Sequence, residues 1–339
     1  MVAFAGWSLP LHYGSAVEEV RAVRTAAGLF DVSHLGQLTI TGSRAGEFLD
    51  GLLTNHVRLL PVGRANYHLL LNEVGGTLDD LVLLKLSPDA YELIVNAVNT
   101  EADRLRLEAA KPAGVVIRDR TSETCRLALQ GPRAAALLTR LTRTDLAHLG
   151  QWHFVSTLLA DRPALISRTG YTGEDGFEIL ARAADGLPLW EALAAQAKPA
   201  GLAARDLLRL EAGLCLWGQD LTPDITPLEA RLDFAVRFDK HSFIGREALR
   251  RQRDQGPPRE RIGLEVAEPN VPRAGGAIQA GGEQIGVITS GNHSPTLEHG
   301  IAMGYVWRGR VRVGDEVAID IRGESRNARV AALPFVKPR

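Results

Sequence analysis

Asp79 and Asp80 stand side by side after the double glycine Gly75-Gly76, at the head of the apolar run Leu81-Val82-Leu83-Leu84. In an extended segment successive side chains point to opposite faces, so one carboxylate can face water while the other is driven beneath the sheet. Strand parity does not say which. A desolvated acid without a partner has its pKa displaced, which is wasteful in a scaffold and useful in proton transfer. The same letters also write an ordinary hairpin turn with a solvated aspartate, so the pair alone leaves both readings open.

Two further segments carry chemistry. In residues 167–180, SRTGYTGEDGFEIL, the glycines let backbone approach a ligand closely, Tyr171 offers a flat face, and Glu178 lies between apolar Phe177 and Ile179. An acid flanked that way takes a cationic or multi-donor partner, and a structural ion pair with an arginine would satisfy it equally well. In the third segment, Arg205, Arg209 and Glu211 interrupt an otherwise apolar helix spanning 204–216, so at least one of them pairs inside the protein. Arg205 sits in the first turn, where the helix dipole gives a cation no help. A ligand or a buried acid explains it better than helix stability does.

These residues need elements to hold them. Ser15-Ala16-Val17-Glu18 is a capping box opening a helix that Gly28 can end. Hydropathy patterns predict strands at 37–41, 67–73, 80–86 and 91–97 with helices at 43–53 and 100–110. A second set follows, with strands at 125–130, 152–158, 164–168 and 176–181 and helices at 132–141 and 187–197. The pattern is α+β, two units of similar plan. Residues 250–261, charged and carrying Gly256-Pro257-Pro258, suit a linker. Beyond it, 262–339 reads as short strands broken by glycines, a small all-β barrel.

Composition narrows the function. The 339 residues have room for two or three domains, and a formal net charge of -1 gives no basic footprint for nucleic acid. Cys125 and Cys215 form no metal or disulfide pattern, and the nine histidines are scattered without metal spacing. No run reaches membrane-spanning length. No Gly-x-Gly-x-x-Gly follows a strand and no Walker-type loop is present. A cytoplasmic protein with no metal, nucleic-acid or membrane partner is expected.

The three segments stand with Phe30-Asp31-Val32-Ser33-His34-Leu35-Gly36, Val95-Asn96-Ala97-Val98-Asn99, Leu129-Gln130-Gly131-Pro132 and Thr226-Pro227-Leu228-Glu229. Residues 288–297, ITSGNHSPTL, and 301–306, IAMGYV, complete the set. With these motifs in this order the chain resembles the aminomethyltransferases, or T-proteins, of the glycine cleavage system. The resemblance implies transfer of a one-carbon unit from an aminomethyl group, carried on the lipoyl arm of H-protein, to N5 of tetrahydrofolate. It implies a cloverleaf of three domains: a folate-binding region over 1–249 made of two interleaved α+β domains with antiparallel sheets, the second at about 37–124, then the barrel. Asp80 becomes the acid near N5 and Asp79 a solvent-side neighbour. Glu178 becomes the acceptor for the two-donor edge of the pterin, with Tyr67, Ile94, Asn96, Tyr171 and Arg205 lining the folate site. Tetrahydrofolate is then the acceptor substrate, and lipoylated H-protein the partner.

His34, in the Asp-Val-Ser-His motif, is read as structural. Departures from the family pattern are His56 where an aspartate is usual, Leu84 for a tyrosine and Trp217 for a tyrosine. The rival readings are a folate-binding iron–sulfur assembly factor, whose signature Cys215-Leu216-Trp217-Gly218-Gln219-Asp220 approaches, and a stand-alone folate-dependent demethylase. The first makes Cys215 functional; the alternative is a buried helix cysteine.

Overall fold

The computed structural model describes residues 1–266 and 270–337. Residues 267–269 and 338–339 of the expected barrel lie outside the described residues. The chain opens with a hairpin, β1 (Val2–Phe4) and β2 (Trp7–Leu9), followed by α1 (Ala16–Thr25). The Ser15 hydroxyl accepts the Glu18 amide at 3.5 Å, one half of the expected capping box. Gly28 does not end this helix. It begins β3 (Gly28–Asp31), where a Cβ would stand 2.4 Å from the Val23 side chain.

The chain then builds β4 (Gly36–Thr41), α2 (Ala45–Leu52), β5 (Ala65–Leu71), β6 (Thr77–Ser87), β7 (Ala90–Val95), α3 (Thr100–Ala110) and β8 (Val116–Asp119). Its five strands form one antiparallel sheet in the order β5-β6-β7-β4-β8. Alternation decides its faces. Leu38, Ile40, Leu81, Leu83, Leu93 and Val95 pack against Phe48, Leu49 and Leu52 of α2 and Leu107 of α3. The intervening residues Val82, Leu84 and Ile94 point the other way.

A second sheet uses β9 (Thr124–Gln130), α4 (Ala134–Leu138), β10 (Phe154–Leu159), β11 (Arg162–Ser167), β12 (Gly176–Arg182), α5 (Gly186–Ala194) and β13 (Lys198–Pro199). Its order is β10-β11-β12-β9-β3-β13, antiparallel except for the β3–β13 pair. Strand β3, from far upstream, completes it, so the first sheet is an excursion out of the second. Leu127, Leu129, Ile166, Phe177 and Ile179 bury against α4 and α5. The opposite face supplies Phe154 and Leu165 to a shared apolar cluster with Ala65, Leu84 and Ile94 of the first sheet. The two sheets therefore face each other across a seam, each with its helices behind.

Next come α6 (Leu202–Glu211) and α7 (Arg246–Gln255), then a closed six-stranded barrel of β14 (Arg259–Val266), β15 (Ala277–Ala280), β16 (Glu283–His293), β17 (Gly300–Trp307), β18 (Glu316–Ile321) and β19 (Glu324–Ala331). One expectation is corrected, and the linker segment 250–261 carries structure of its own: α7 runs through Gln255, pinned by fully buried Leu249, and β14 starts at Arg259, whose Nε donates to Glu229 at 2.8 Å. The helix expected over 204–216 ends at Glu211, because Gly213 takes a φ of +65° that leaves the helix. Among the described residues no helix is long and apolar enough to cross a membrane.

Helix α6 bolts these parts together through charge. Arg24 of α1 donates to Glu211 at 3.0 and 2.7 Å, to Glu174 at 3.0 Å and to the Thr172 carbonyl at 2.8 Å. Glu211 also accepts from Ser294 and Thr296 of the barrel. Two residues earlier, Arg209 donates to Asp220 at 2.7 Å, and Asp220 accepts the Ser290 hydroxyl of β16 at 2.9 Å. The sequence expectation that an α6 charge pairs inside the protein is met twice over. Removing one partner strands a buried charge, so Arg24→Met is expected to cost about 3–5 kcal/mol, read as a lowered denaturant midpoint; a loss under about 1 kcal/mol, the range of a surface pair, would contradict this role.

Candidate functional site

The two glycines that precede the aspartates act differently. Gly75 adopts a φ of +88°, which closes the turn, whereas a Cβ on Gly76 would fall 1.7 Å from the Pro223 carbonyl oxygen. That approach lets Thr77 bond the Thr222 and Ile225 carbonyls, anchoring the start of β6 beneath the 222–225 loop. Indole Nε1 of Trp217 donates to the Thr77 carbonyl at 3.4 Å from the same side.

Strand parity now separates the acids. Asp79 points to the helix side and is fully buried, so the expectation of a solvent-side neighbour is wrong: α3 covers that face of the strand. Its carboxylate accepts Asn96 Nδ2 at 2.7 Å, the Asn96 amide at 3.1 Å and Asn99 Nδ2 at 2.6 Å. Asp103 of α3 completes the shell. Burial and the Asp79 charge push the Asp103 carboxyl up to about 9, so it keeps its proton at neutral pH and donates it to Asp79.

Asp80 points into the seam and is only partly buried. Tyr67 Oη donates to it at 2.9 Å and Asn96 Nδ2 at 2.9 Å, while the Tyr67 ring stacks on Phe234 with centroids 5.9 Å apart. Burial and the neighbouring Asp79 charge raise Asp80 to about 7 against these donors. A carboxyl poised there can hold or release a proton under ordinary conditions.

Across the seam stands Glu178 of β12, nearly buried. Its Oε2 accepts the Thr169 hydroxyl at 2.7 Å and Arg126 Nη1 at 3.4 Å, while Oε1 takes no bond from any described residue. The arginine that the sequence left unnamed is thus Arg126, in β9. Tyr171 donates its hydroxyl to the Cys215 carbonyl and offers its ring to Arg205, whose guanidinium carbon lies 4.7 Å from the ring centroid. Arg205 has no carboxylate partner among the described residues, and burial lowers its pKa. Ile94 lies in the apolar floor between the sheets.

The seam therefore brings Asp80, Tyr67 and Asn96 together on one wall, with Ile94 in its floor and Glu178 on the other wall; the Tyr171–Arg205 stack forms a third group. His34 is buried, its pKa lowered to about 3 by burial, and it meets Phe4 edge to face. Cys215 is buried, but beyond the end of α6, and burial raises its thiol to about 12. His56 pairs with Asp239 at 3.0 Å on the surface, and Leu84 belongs to the seam floor.

Sequence reasoning missed Arg126, Thr169, Asn99 and Asp103. Thr169 and Asn99 lay inside quoted motifs, and Arg126 interrupts an apolar strand just as Glu178 does, so pairing the two was an available signal. Asp103 gave none, since an acid in the first turn of a helix is ordinary.

Comparison with known proteins agrees with this architecture. The profile of the GCVT N-terminal domain matches residues 1–240, and that of the glycine cleavage T-protein C-terminal barrel domain matches residues 259–337. The chain is 46% identical over 343 residues to an aminomethyltransferase of Geobacillus kaustophilus, covering 99% of this chain and 94% of the relative. It is 43% identical, with the same coverage, to that of Halalkalibacterium halodurans. The crystal structure of glycine cleavage system aminomethyltransferase T from Bartonella henselae superposes with a TM-score of 0.93 at 39% identity, covering 99% of this chain and 94% of that one. The chain belongs to the glycine cleavage T-protein family, the aminomethyltransferases.

Proposed function

We propose that this chain moves the one-carbon unit of an aminomethyl group, carried on the lipoyl arm of H-protein, to N5 of tetrahydrofolate. Ammonia leaves, the lipoyl thiol is freed, and 5,10-methylenetetrahydrofolate is formed. Tetrahydrofolate is a substrate here, and no resident metal is called for. On this reading the two interleaved sheets and the barrel are three domains, and the reaction takes place in the cytoplasm.

The observation that carries the proposal is Asp80: a seam-facing carboxyl held by Tyr67 and Asn96, with its pKa raised to about 7. As a carboxylate it can accept the N5 proton and balance the positive iminium character that builds as the thiol departs. Glu178 supplies acceptors for the exocyclic amine and ring N–H of the pterin, which form a two-donor fork like that of guanidinium. Tyr67, Ile94, Asn96 and Tyr171 line the folate. Arg205, stacked on Tyr171 and without a carboxylate partner among the described residues, supports a carbonyl or carboxylate of the same ligand.

Asp80→Asn is expected to keep the fold and tetrahydrofolate binding while lowering turnover by at least about 100-fold; retained turnover would remove Asp80 from the chemistry. Because the folded pKa is raised, the carboxylate forms only as pH rises through about 7, so wild-type turnover should climb across that pH and the variant should lose the limb. Asp79→Asn acts differently. It sets an amide against the donors Asn96 and Asn99, so its thermal midpoint should fall by the equivalent of about 1–3 kcal/mol, whereas Asp80→Asn leaves the midpoint near wild type; equal midpoints would contradict the division of roles.

A further inference from the structure

Arg126 is among the largest fully buried side chains of the protein, 1% exposed, in a strand whose neighbours are apolar. Its guanidinium spans the seam: Nη1 approaches Glu178 Oε2 at 3.4 Å on its own sheet, and Nη2 donates to Gln37 Oε1 at 3.0 Å on β4 of the other. Glu92 of β7, 1% exposed, faces the same charge and accepts the Thr39 hydroxyl at 3.1 Å. Three atoms of this group are buried without a partner among the described residues: Arg126 Nε, Gln37 Nε2 and Glu92 Oε1.

Stability does not explain the arrangement. A buried arginine recovers its desolvation cost only with close, complete pairing, and closed charge-assisted bonds run at about 2.7–2.9 Å. Here the contact with Glu178 is long and three polar atoms have no partner among the described residues. Local inconsistencies of this kind collect where a site has a task. Each carboxylate oxygen offers about two lone-pair sites, and Thr169 and Arg126 occupy those of Oε2. The free pair on Oε1 is what remains for a ligand.

We infer that Arg126 is a positioning residue for the folate subsite: anchored on Gln37 across the seam, it holds Glu178 from behind by Oε2 and presents Oε1 to the pterin donors. The inference rests on Glu178 being the pterin acceptor and adds that its usefulness depends on a residue that never touches the ligand. It also commits both donors of the pterin fork to Oε1, while Arg126 and Thr169 keep their hold on Oε2.

The test compares Arg126→Met, Arg126→Lys, Glu178→Gln and the double variant Arg126→Met/Glu178→Gln, measuring equilibrium binding of tetrahydrofolate and kcat and KM with loaded H-protein. Arg126→Met should raise the folate Kd and KM by about tenfold or more with kcat within about threefold, the signature of lost ground-state binding. Arg126→Lys should recover part of the loss, since a point charge can hold Glu178 but not the Gln37 fork as well. In the double variant the arginine change should add nothing to Glu178→Gln, because it acts only through that carboxylate. Unchanged folate affinity in Arg126→Met beside a weakened Glu178→Gln overturns the inference, as do additive losses in the double variant. Glu92 also faces Arg126, so where Arg126→Met does not fold, Arg126→Lys, which keeps a cation beside Glu92, decides the matter: its loss of folate affinity should vanish in the Glu178→Gln background. Unchanged affinity in Glu178→Gln itself would instead overturn the assignment of Glu178 beneath it.

Discussion

Strand β6 is covered on both faces, and most of the site follows from that. A strand with one wet face would let one of two adjacent aspartates relax into solvent. Here α3 lies against one face and the second sheet opposes the other, so Asp79 and Asp80 are both taken out of bulk water. Two carboxylates this close cannot both ionise freely. The protein resolves the conflict with asymmetric donors: Asn96 and Asn99 secure Asp79, and Asp103 contributes a proton to it. Asp80 receives one phenol and a share of Asn96, which leaves it close to its titration point. Asp80, the acid proposed to react, is the less satisfied member of a pair whose other member is locked.

The covering of β6 depends in turn on elements far apart in sequence. The second sheet closes only because β3 is laid down before the first sheet and paired with β9 after it. Helix α6 then ties α1, the 172–174 loop and barrel strand β16 into one body through Arg24, Glu211, Arg209 and Asp220. These ion pairs are buried and densely hydrogen-bonded, the condition under which such pairs hold geometry rather than merely cost desolvation.

Legibility in the sequence followed periodicity and local chemistry. Strands β4 to β7 and β9 to β12, α3 and the barrel were readable because alternation, helical spacing and glycine breaks are local signals, whereas the short strands β3, β8 and β13 carried too little pattern to be expected. The helix within 246–255 was not expected because a run of charges looks solvated when one buried residue, Leu249, is what fixes it. Helix α6 was drawn too long because its apolar spacing continues through Leu216, while Gly213 turns the chain out of the helix.

The sequence by itself determined that two acids share a strand and must face apart, that Glu178 stands in an apolar strand, and that charges in α6 need internal partners. Those conclusions need only covalent spacing and the cost of burying charge. Tertiary structure alone decided that the inner face of Asp79 lies under α3 and not in water, that Asp80 meets Tyr67 and Asn96, and that Glu178 has one oxygen held and one free. Each depends on what covers a face, and covering is supplied by segments tens of residues away, whose pairing no local pattern encodes.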